Sequence, residues 1–479
     1  MSVEPRGRPI TTIEQARTDA QRQARSFSSV IVLMVGIALA VLVVGAYVFL
    51  DYHLQQDPHR LVKLTVGGSL LASILLVPHV GLFTVPLLTP FILWLPKMPI
   101  PGVNTLNILM VSVFFSFTLP RVLQHQPVFR NGAVGWCLLG ILGLAGISIF
   151  RGEAYPTGYE YDAGKAGIEL FRTAMCFSVF FIALAMIRGD RQRRLMTWAV
   201  VLGLMAEALM TIKMGRNFRG RASGSISQPN DLGAFLAMFT AFAAAAFFGF
   251  RRWWARGIVA LAVLSGCAAE VLTVSRGGIL ALGLALGYVA LRSSRVLSVL
   301  LLVAVISSPA WAPDFLKERV VGTRVQSEDS DEAELENSSA ERVATWKAIG
   351  DLLADHPIEG VGFTGLNNVL AMISTTQALD IKDSAHNSYL RFLGEMGIGG
   401  LALFLWTLWT CWSLGATGMR VAGDHFSRQL ALGLCGATLA MAVSCMFGDR
   451  FFPVTLGGNF WVAAALVTDV VDEAKKRPA

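Results

Sequence analysis

Apolar runs of about 18 residues or more recur from Ser28 to Val471, and nothing else in the chain constrains its fold as much. Each run is long enough to cross roughly 30 Å of hydrocarbon as an α-helix. Inside lipid, every backbone N–H and C=O must be bonded within its own segment or within a closed barrel. Barrel strands would be about 10 residues long and strictly alternating. These runs are about twice that length and apolar on all faces, so helices are selected. Composition agrees: 15% of the 479 residues are charged and 54% hydrophobic, against about 25% charged in a soluble domain. The expectation is an all-α, polytopic integral membrane protein with about 12–14 transmembrane helices.

Spans are read near 28–50, 62–78, 80–96, 104–123, 133–150, 167–187, 195–214, 230–250, 257–274, 277–291, 296–312, 388–414, 427–448 and 452–471. The pair over 62–96 reads either as two spans or as a re-entrant hairpin. The chain then divides into a basic tail (1–27), an N-terminal bundle (28–312), a large loop with short helices (313–387), C-terminal spans (388–471) and a short tail (472–479). The first span follows a tail longer than an ordinary cleaved signal, so it is read as an uncleaved anchor. All six cysteines (Cys137, Cys176, Cys267, Cys411, Cys435, Cys445) fall inside apolar runs without a CxxC pair. They read as small buried hydrophobes rather than disulfides or metal ligands.

The formal charge of +7 is explained by where the cations lie. The N-terminal tail carries Arg6, Arg8, Arg17, Arg22 and Arg25. The connections RVLQHQPVFR (121–130), RGDRQRR (188–194), RRWWAR (251–256), RSSR (292–295) and MRVAGDHFSR (419–428), and the final KKR (475–477), carry most of the rest. With the N-terminus cytoplasmic, the span order places every one of these on the same, cytoplasmic side, as the positive-inside rule requires. A membrane surface, not nucleic acid, accounts for the basic balance. Both termini are then cytoplasmic, and the loops 151–166, 215–229 and 313–387 face outward.

Three outer clusters carry chemistry. The loop at 215–229, with the first residue after it, reads GRNFRGRASGSISQPN. Arg216, Arg219 and Arg221 sit there against the charge rule, beside glycines that permit close backbone approach and beside Asn230 and Asp231 at a helix start. They read as a phosphate cradle or as arginines on lipid headgroups. In SRGGILAL (275–282), Arg276 stands at a span end next to two glycines, where it either snorkels or serves a site packed closely against its neighbours. In the large loop, SSAERVATWKAIGDLLADHP (338–357) reads as a helix with a Ser338/Glu341 capping box. Its apolar face is Val343, Trp346, Ile349 and Leu353, and it stops at Pro357. GVGFTG (360–365) gives a turn, and 366–379 a second helix. The acidic run EDSDEAELE (328–336) reads as a solvated stretch. Its Asp329-Ser330-Asp331 resembles a nucleotide-sugar transferase metal triplet, a three-residue match of little weight in an acidic run.

The loop ends at His386, where the next span begins. A helix N-terminus disfavours imidazolium, which suits a general base; a plain capping role is the other reading. Asp383 or Asp380 is placed to orient the imidazole. Arg391 and Glu395 are spaced to pair within the bundle. Glu207 and Glu270, inside spans, keep a transporter or flippase reading open.

Taken together, these motifs resemble the O-antigen ligase and polymerase superfamily of bacterial membrane glycosyltransferases. The resemblance rests on His386-Asn387 followed by Gly397 and Gly400, on Arg342 and Trp346 leading into Pro357 and Gly360-Val361-Gly362, on Arg276 followed by Leu280, and on GSISQPND after the arginine loop. It covers roughly 215–415. It implies an enzyme of the bacterial inner membrane that takes a glycan from an undecaprenyl-pyrophosphate-type lipid donor. The acceptor would be lipid A–core or another lipid-linked glycan. The transfer would be inverting, with no metal and no cofactor. His386 would be the base and Arg276, Arg216, Arg219 and Arg221 would hold the donor pyrophosphate. Asn387, Arg342, Asn230 and Asp383 would support them.

Overall fold

The structure is a computed structural model and describes residues 58–95, 104–154, 161–218, 220–307, 310, 324–326, 333–335, 337–355, 358–377 and 384–477. The expected span at 28–50, the basic tail, His356, Pro357, Asp329 and Asp331 lie outside these residues. The helices are α1 (Pro58–Leu76), α2 (Pro78–Leu88), α3 (Thr105–Leu123), α4 (Ala133–Glu153), α5 (Ala163–Met186), α6 (Asp190–Met214), α7 (Pro229–Gly249), α8 (Trp253–Thr273), α9 (Arg276–Ser293) and α10 (Arg295–Ile306). In the large loop follow two three-residue strands, β1 (Arg324–Gln326) and β2 (Ala333–Leu335), paired antiparallel. Then come α11 (Asn337–Asp355), α12 (Gly365–Gln377), α13 (Ser388–Val421), α14 (His425–Cys445) and α15 (Val454–Lys475). Among the described residues, nine helices are long and apolar enough to cross a membrane. The chain is therefore an all-α multi-pass membrane protein.

The segment expected as two spans or a hairpin forms α1 and then α2, which runs on as a 3-10 turn over Thr89–Trp94. Pro86 interrupts α2. The Pro86 carbonyl accepts from Asn459 Nδ2 at 3.0 Å, and the Pro90 carbonyl accepts from Ser225 Oγ at 2.9 Å. Irregular backbone at membrane depth persists where protein satisfies it in this way.

Two compact units divide the chain. One comprises 1–82 and 108–129, the other 83–107 and 130–479. In the first, Gly81 lets α2 lie against Val113 of α3 and Ile74 of α1. In the second, α7, α14 and α15 form the interior and are buried along nearly all of their length. Composition explains why α7 sits at the centre: it carries alanine or glycine on every face (Gly233, Ala234, Gly249, Ala246, Ala243). Neighbouring backbones can then approach from all sides, as membrane packing without a solvent-driven hydrophobic term demands. Five of the six cysteines are buried, and all are free.

The second unit has two polar ends. At one, Asp469 of α15 accepts from Arg130 at 2.8 Å and Arg193 at 3.0 Å. Asp472 accepts from Arg130, and Glu473 from Arg193 at 2.6 Å. The segments 188–194, 251–256 and 419–428 gather at this end, so the structure collects the loops that the charge rule places together. The motif-bearing loops gather at the other end.

There, α13 carries a break. Gly397 has φ 67° inside an otherwise helical run, which frees carbonyls one turn earlier. The segment between α11 and α12 answers them: Val361 N donates to Gly394 O at 2.8 Å and Gly362 N to Glu395 O at 3.1 Å. Ser148 Oγ of α4 donates to Glu395 O at 2.7 Å. Gly360-Val361-Gly362 is thus a plug for the break. Behind it, Ile349, Val361, Leu366, Val369, Leu370 and Ala385 form a small core that ties α11 and α12 to the start of α13. The expected face of α11 is corrected at one position. Val343 is 53% exposed, because the helix packs through Ala344, Ala348, Ile349, Leu352 and Leu353, one step around from the face that included it.

A side chain at Gly397 would collide with the Ile358 carbonyl and would occupy a left-handed conformation costing about 1–2 kcal/mol. Gly397→Ala is expected to lower the melting temperature of the detergent-purified protein clearly. Gly399→Ala, whose added methyl meets only Leu144 at 3.8 Å, is expected to leave it unchanged. Equal melting of the two variants would rule out the plugged break as a stability element.

Candidate active site

The site end is assembled by the first turn of α13. Asn387 is its N-cap: its side chain accepts from Tyr389 N at 2.9 Å and Leu390 N at 3.3 Å. This satisfies two of the donors that a helix start leaves open. Ser388 Oγ donates to Gly448 O at 2.9 Å and accepts from Arg450 N at 3.0 Å, and Tyr389 Oη donates to Ala442 O at 2.9 Å. One helical turn thereby clamps the connection between α14 and α15.

His386 precedes this cap, half-buried, with φ 45°. Left-handed backbone is uncommon for residues other than glycine, with histidine among the more frequent exceptions. On its N-terminal side, Trp346 Nε1 of α11 donates to the Ala385 carbonyl at 2.9 Å. Ser384 Oγ donates to Asp449 Oδ2 at 2.8 Å. The histidine is therefore held between a helix cap, an indole and a carboxylate. Arg342 lies one turn before Trp346, half-buried on the same helix.

The arginine loop reaches the same place from the other side. Arg221 Nε donates to the Thr273 carbonyl at the end of α8 at 2.9 Å, and its Nη2 donates to Asn230 Oδ1 at 2.6 Å. Asp231, the next residue, forms an ion pair with Arg450. Burial first, then the neighbouring Arg221 charge, pushes the Arg450 guanidinium down from its ordinary value; the Asp231 carboxylate opposes that by holding the cation. Three residues beyond Thr273, Arg276 opens α9, half-buried. Gly277 lies directly against Phe447, and Gly278 lies against Gly233 of α7. The paired glycines are thus explained by close helix packing beside the arginine.

Asn230, Arg221, Arg276, His386 and Asn387 are thus gathered on elements that converge at one end of the bundle. Arg216 is on the same loop but exposed. Arg219 and Asp383 fall outside the described residues, as does Asp380. Arg391 and Glu395 pair at 3.1 Å, as their spacing predicts, and the Arg391 guanidinium lies over the Phe452 ring at 4.8 Å.

Sequence reasoning missed Asp449 and Arg450. They lie in the short turn between two spans on the motif side, where an arginine breaks the positive-inside pattern just as Arg216 does; that exception was the available signal. Asp449 Oδ1 is buried and has no hydrogen-bond partner among the described residues. The two intramembrane acids have local roles. Glu207 accepts from Ser225 N at 2.9 Å and from the Ser225 hydroxyl, so it anchors the arginine loop. Glu270 lies one turn from the end of α8 beside Thr273, and Gly233 and Gly278 pack against it.

Removing one partner of the Asp231–Arg450 pair leaves a buried charge. Asp231→Ala is expected to destabilise the protein by roughly 2 kcal/mol, less than a fully buried pair would cost because Asp231 is partly exposed. The double change Asp231→Ala/Arg450→Met is expected to recover folded yield in detergent. Failure of the second change to rescue the first would argue against the pairing.

Residues 260–405 match the family described as O-Antigen ligase. This window holds Arg276, Arg342, Trp346, His386, Asn387, Gly397 and Gly400, while Arg221, Asn230, Asp231, Asp449 and Arg450 join it only through the fold. No curated protein matches the chain. Residues 260–405, within a multi-pass helical bundle, thus form a domain of the O-antigen ligase type.

Proposed function

We propose that the chain is a periplasm-facing glycosyltransferase of the bacterial inner membrane. It moves a glycan from an undecaprenyl-pyrophosphate-type donor to a hydroxyl of lipid A–core or of a second lipid-linked glycan. The observation that carries this reading is the convergence of Arg221, Arg276 and Arg450 with His386 at one end of the bundle, through contacts between residues far apart in sequence. Nucleotide sugars are cytoplasmic, so an outward-facing transferase needs a donor brought by lipid.

In the reaction, the acceptor oxygen attacks the anomeric carbon as the bond to the pyrophosphate oxygen breaks. A single displacement inverts that centre. His386 takes the acceptor proton, and the lipid pyrophosphate leaves with the bonding electron pair. Guanidiniums stabilise the charge that develops there, by bidentate hydrogen bonds and without metal. Asn387 and Arg342 support the base through the helix start and through α11. Arg216, Arg219 and Asp383 remain candidates for the donor or the base. The transporter alternative drew on Glu207 and Glu270, and those acids are bonded near the site end rather than at midplane.

Transfer from a purified lipid-linked donor tests this reading. His386→Ala and His386→Gln are expected to insert and fold normally but to lose roughly 10²-fold or more of the rate, the scale of a lost general base. Arg276→Lys keeps the charge but not the planar fork and is expected to impair transfer as well. Near-normal transfer by His386→Ala would sink the mechanism. A periplasm-active reporter inserted near Asp331 is expected to be active, and cytoplasmic activity at that point would reverse the orientation.

A further inference from the structure

At the end of the bundle opposite His386, the structure contains a half-open cavity of about 660 Å³ that the transfer reaction does not use. Three helices begin at it: α6 at Asp190, α8 at Trp253 and α14 at His425. Its inner charges are already matched. Arg193 is bound to Asp469 and Glu473, Arg194 to Asp190 at 2.7 Å, and Asp424 caps α14 by accepting from Ser427 N at 3.0 Å. Two cations at the mouth are not matched. Arg251 and Arg252 are exposed, and among the described residues no carboxylate pairs with either. Arg252 meets only the Trp254 ring, at 6.0 Å. Behind them α8 starts without a side-chain cap, so its first N–H groups add to the positive potential.

The other wall is aromatic. Trp198 and Trp254 stack at 5.9 Å and 10°, and Trp198 packs on Phe250 at 4.9 Å. From the mouth, one face of α8 continues as Trp253 (84% exposed), Gly257, Leu261 (48%) and Leu264 (68%). These residues lie at intervals of four, four and three, a single stripe along the membrane span. Tryptophans at a span end belong to the headgroup level, and the stripe below them faces hydrocarbon. A soluble anion would use the arginines but not the stripe.

We propose that this cavity binds the phosphate headgroup of an anionic phospholipid from the leaflet opposite the His386 site, with an acyl chain along the Trp253–Leu264 face of α8. The phosphodiester sits between Arg251, Arg252 and the open N-terminus of α8. The aromatic wall takes the glycerol region. The site is independent of the transfer chemistry, so it stands or falls without it.

Native mass spectrometry of the full chain in neutral detergent tests it, with phosphatidylglycerol and phosphatidylcholine of identical acyl chains as probes. The wild-type protein is expected to retain one phosphatidylglycerol with roughly tenfold preference, the scale of two arginines near an anionic headgroup. Arg251→Gln/Arg252→Gln is expected to abolish the preference. Because both side chains are exposed and outside the ion-pair cluster, this variant should elute as the wild type on gel filtration. Arg188→Gln/Arg191→Gln, which removes two other exposed cations at the same end, is expected to keep the preference. Equal binding of the two lipids, or a preference that survives loss of Arg251 and Arg252, would overturn the proposal. Displacement of the lipid by millimolar inorganic phosphate would do so too, by marking a soluble-anion site.

Discussion

Two hydrogen bonds, from Val361 N to Gly394 O and from Gly362 N to Glu395 O, hold the segment between α11 and α12 onto the break in α13, and Ser148 of α4 adds a third bond to the Glu395 carbonyl. The constraint behind them is that helix backbone cannot be broken within a membrane protein unless other protein groups answer the freed polar atoms. Gly397 makes the break, and Val361, Gly362 and Ser148 answer it. Gly360 and Gly362 adopt positive φ to do so, and any side chain on Gly360 would collide with the α13 backbone around Gly394–Gly397. Once this plug is seated, α11 and α12 share a core with Ala385, and Trp346 reaches the Ala385 carbonyl. His386 is therefore positioned by a chain of contacts that starts at a glycine three turns away.

The two ends of the second unit use charge differently. At the end holding Asp469, each buried cation has a carboxylate partner, and the cluster ties α15 to α6 and to the start of α4. Removing a partner there would expose the full desolvation cost of the other, so the cluster acts as a structural clasp. At the site end, Arg221 is fixed by a backbone carbonyl and an amide oxygen, acceptors that orient a guanidinium without neutralising it.

Much of this was legible in the sequence, for identifiable reasons. Span length and all-round apolarity are set by the bilayer, so the helices from α3 to α10 and from α13 to α15 follow from hydropathy alone. Helices α11 and α12 followed from local periodicity and from stop signals. The Arg391–Glu395 pair followed from i,i+4 spacing. What stayed hidden depends on tertiary neighbours. Asp449 and Arg450 stand in the short connection 446–453 with no motif around them, and their meaning comes from Ser388, Asp231 and Ser384, which are distant in sequence. Val343 looked like part of a face because a one-residue rotation of an amphipathic stripe barely changes its pattern. Glu207 looked like a midplane acid because position within an apolar run does not reveal that Ser225 folds back to meet it.

The arrangement of the arginines also bears on why a transferase of this kind has no need to move them during the reaction. A guanidinium has five N–H donors in a rigid fork. Arg221 spends its Nε and one Nη2 bond on Thr273 and Asn230, which sets the plane of the fork. Arg450 is set by Asp231, and its backbone N–H is set by Ser388. Both forks are therefore oriented before any donor arrives. On the proposed function, charge developing on a leaving pyrophosphate would meet dipoles and cations already in place, with no reorganisation needed at that moment. Asp231 contributes as well: it places a carboxylate beside a cation that burial and the Arg221 charge both disfavour. On the proposed function, a pyrophosphate, carrying more negative charge than one carboxylate, would compete for that same guanidinium, and the pair would serve as a placeholder for the donor, compensated when empty and attractive when the lipid is bound.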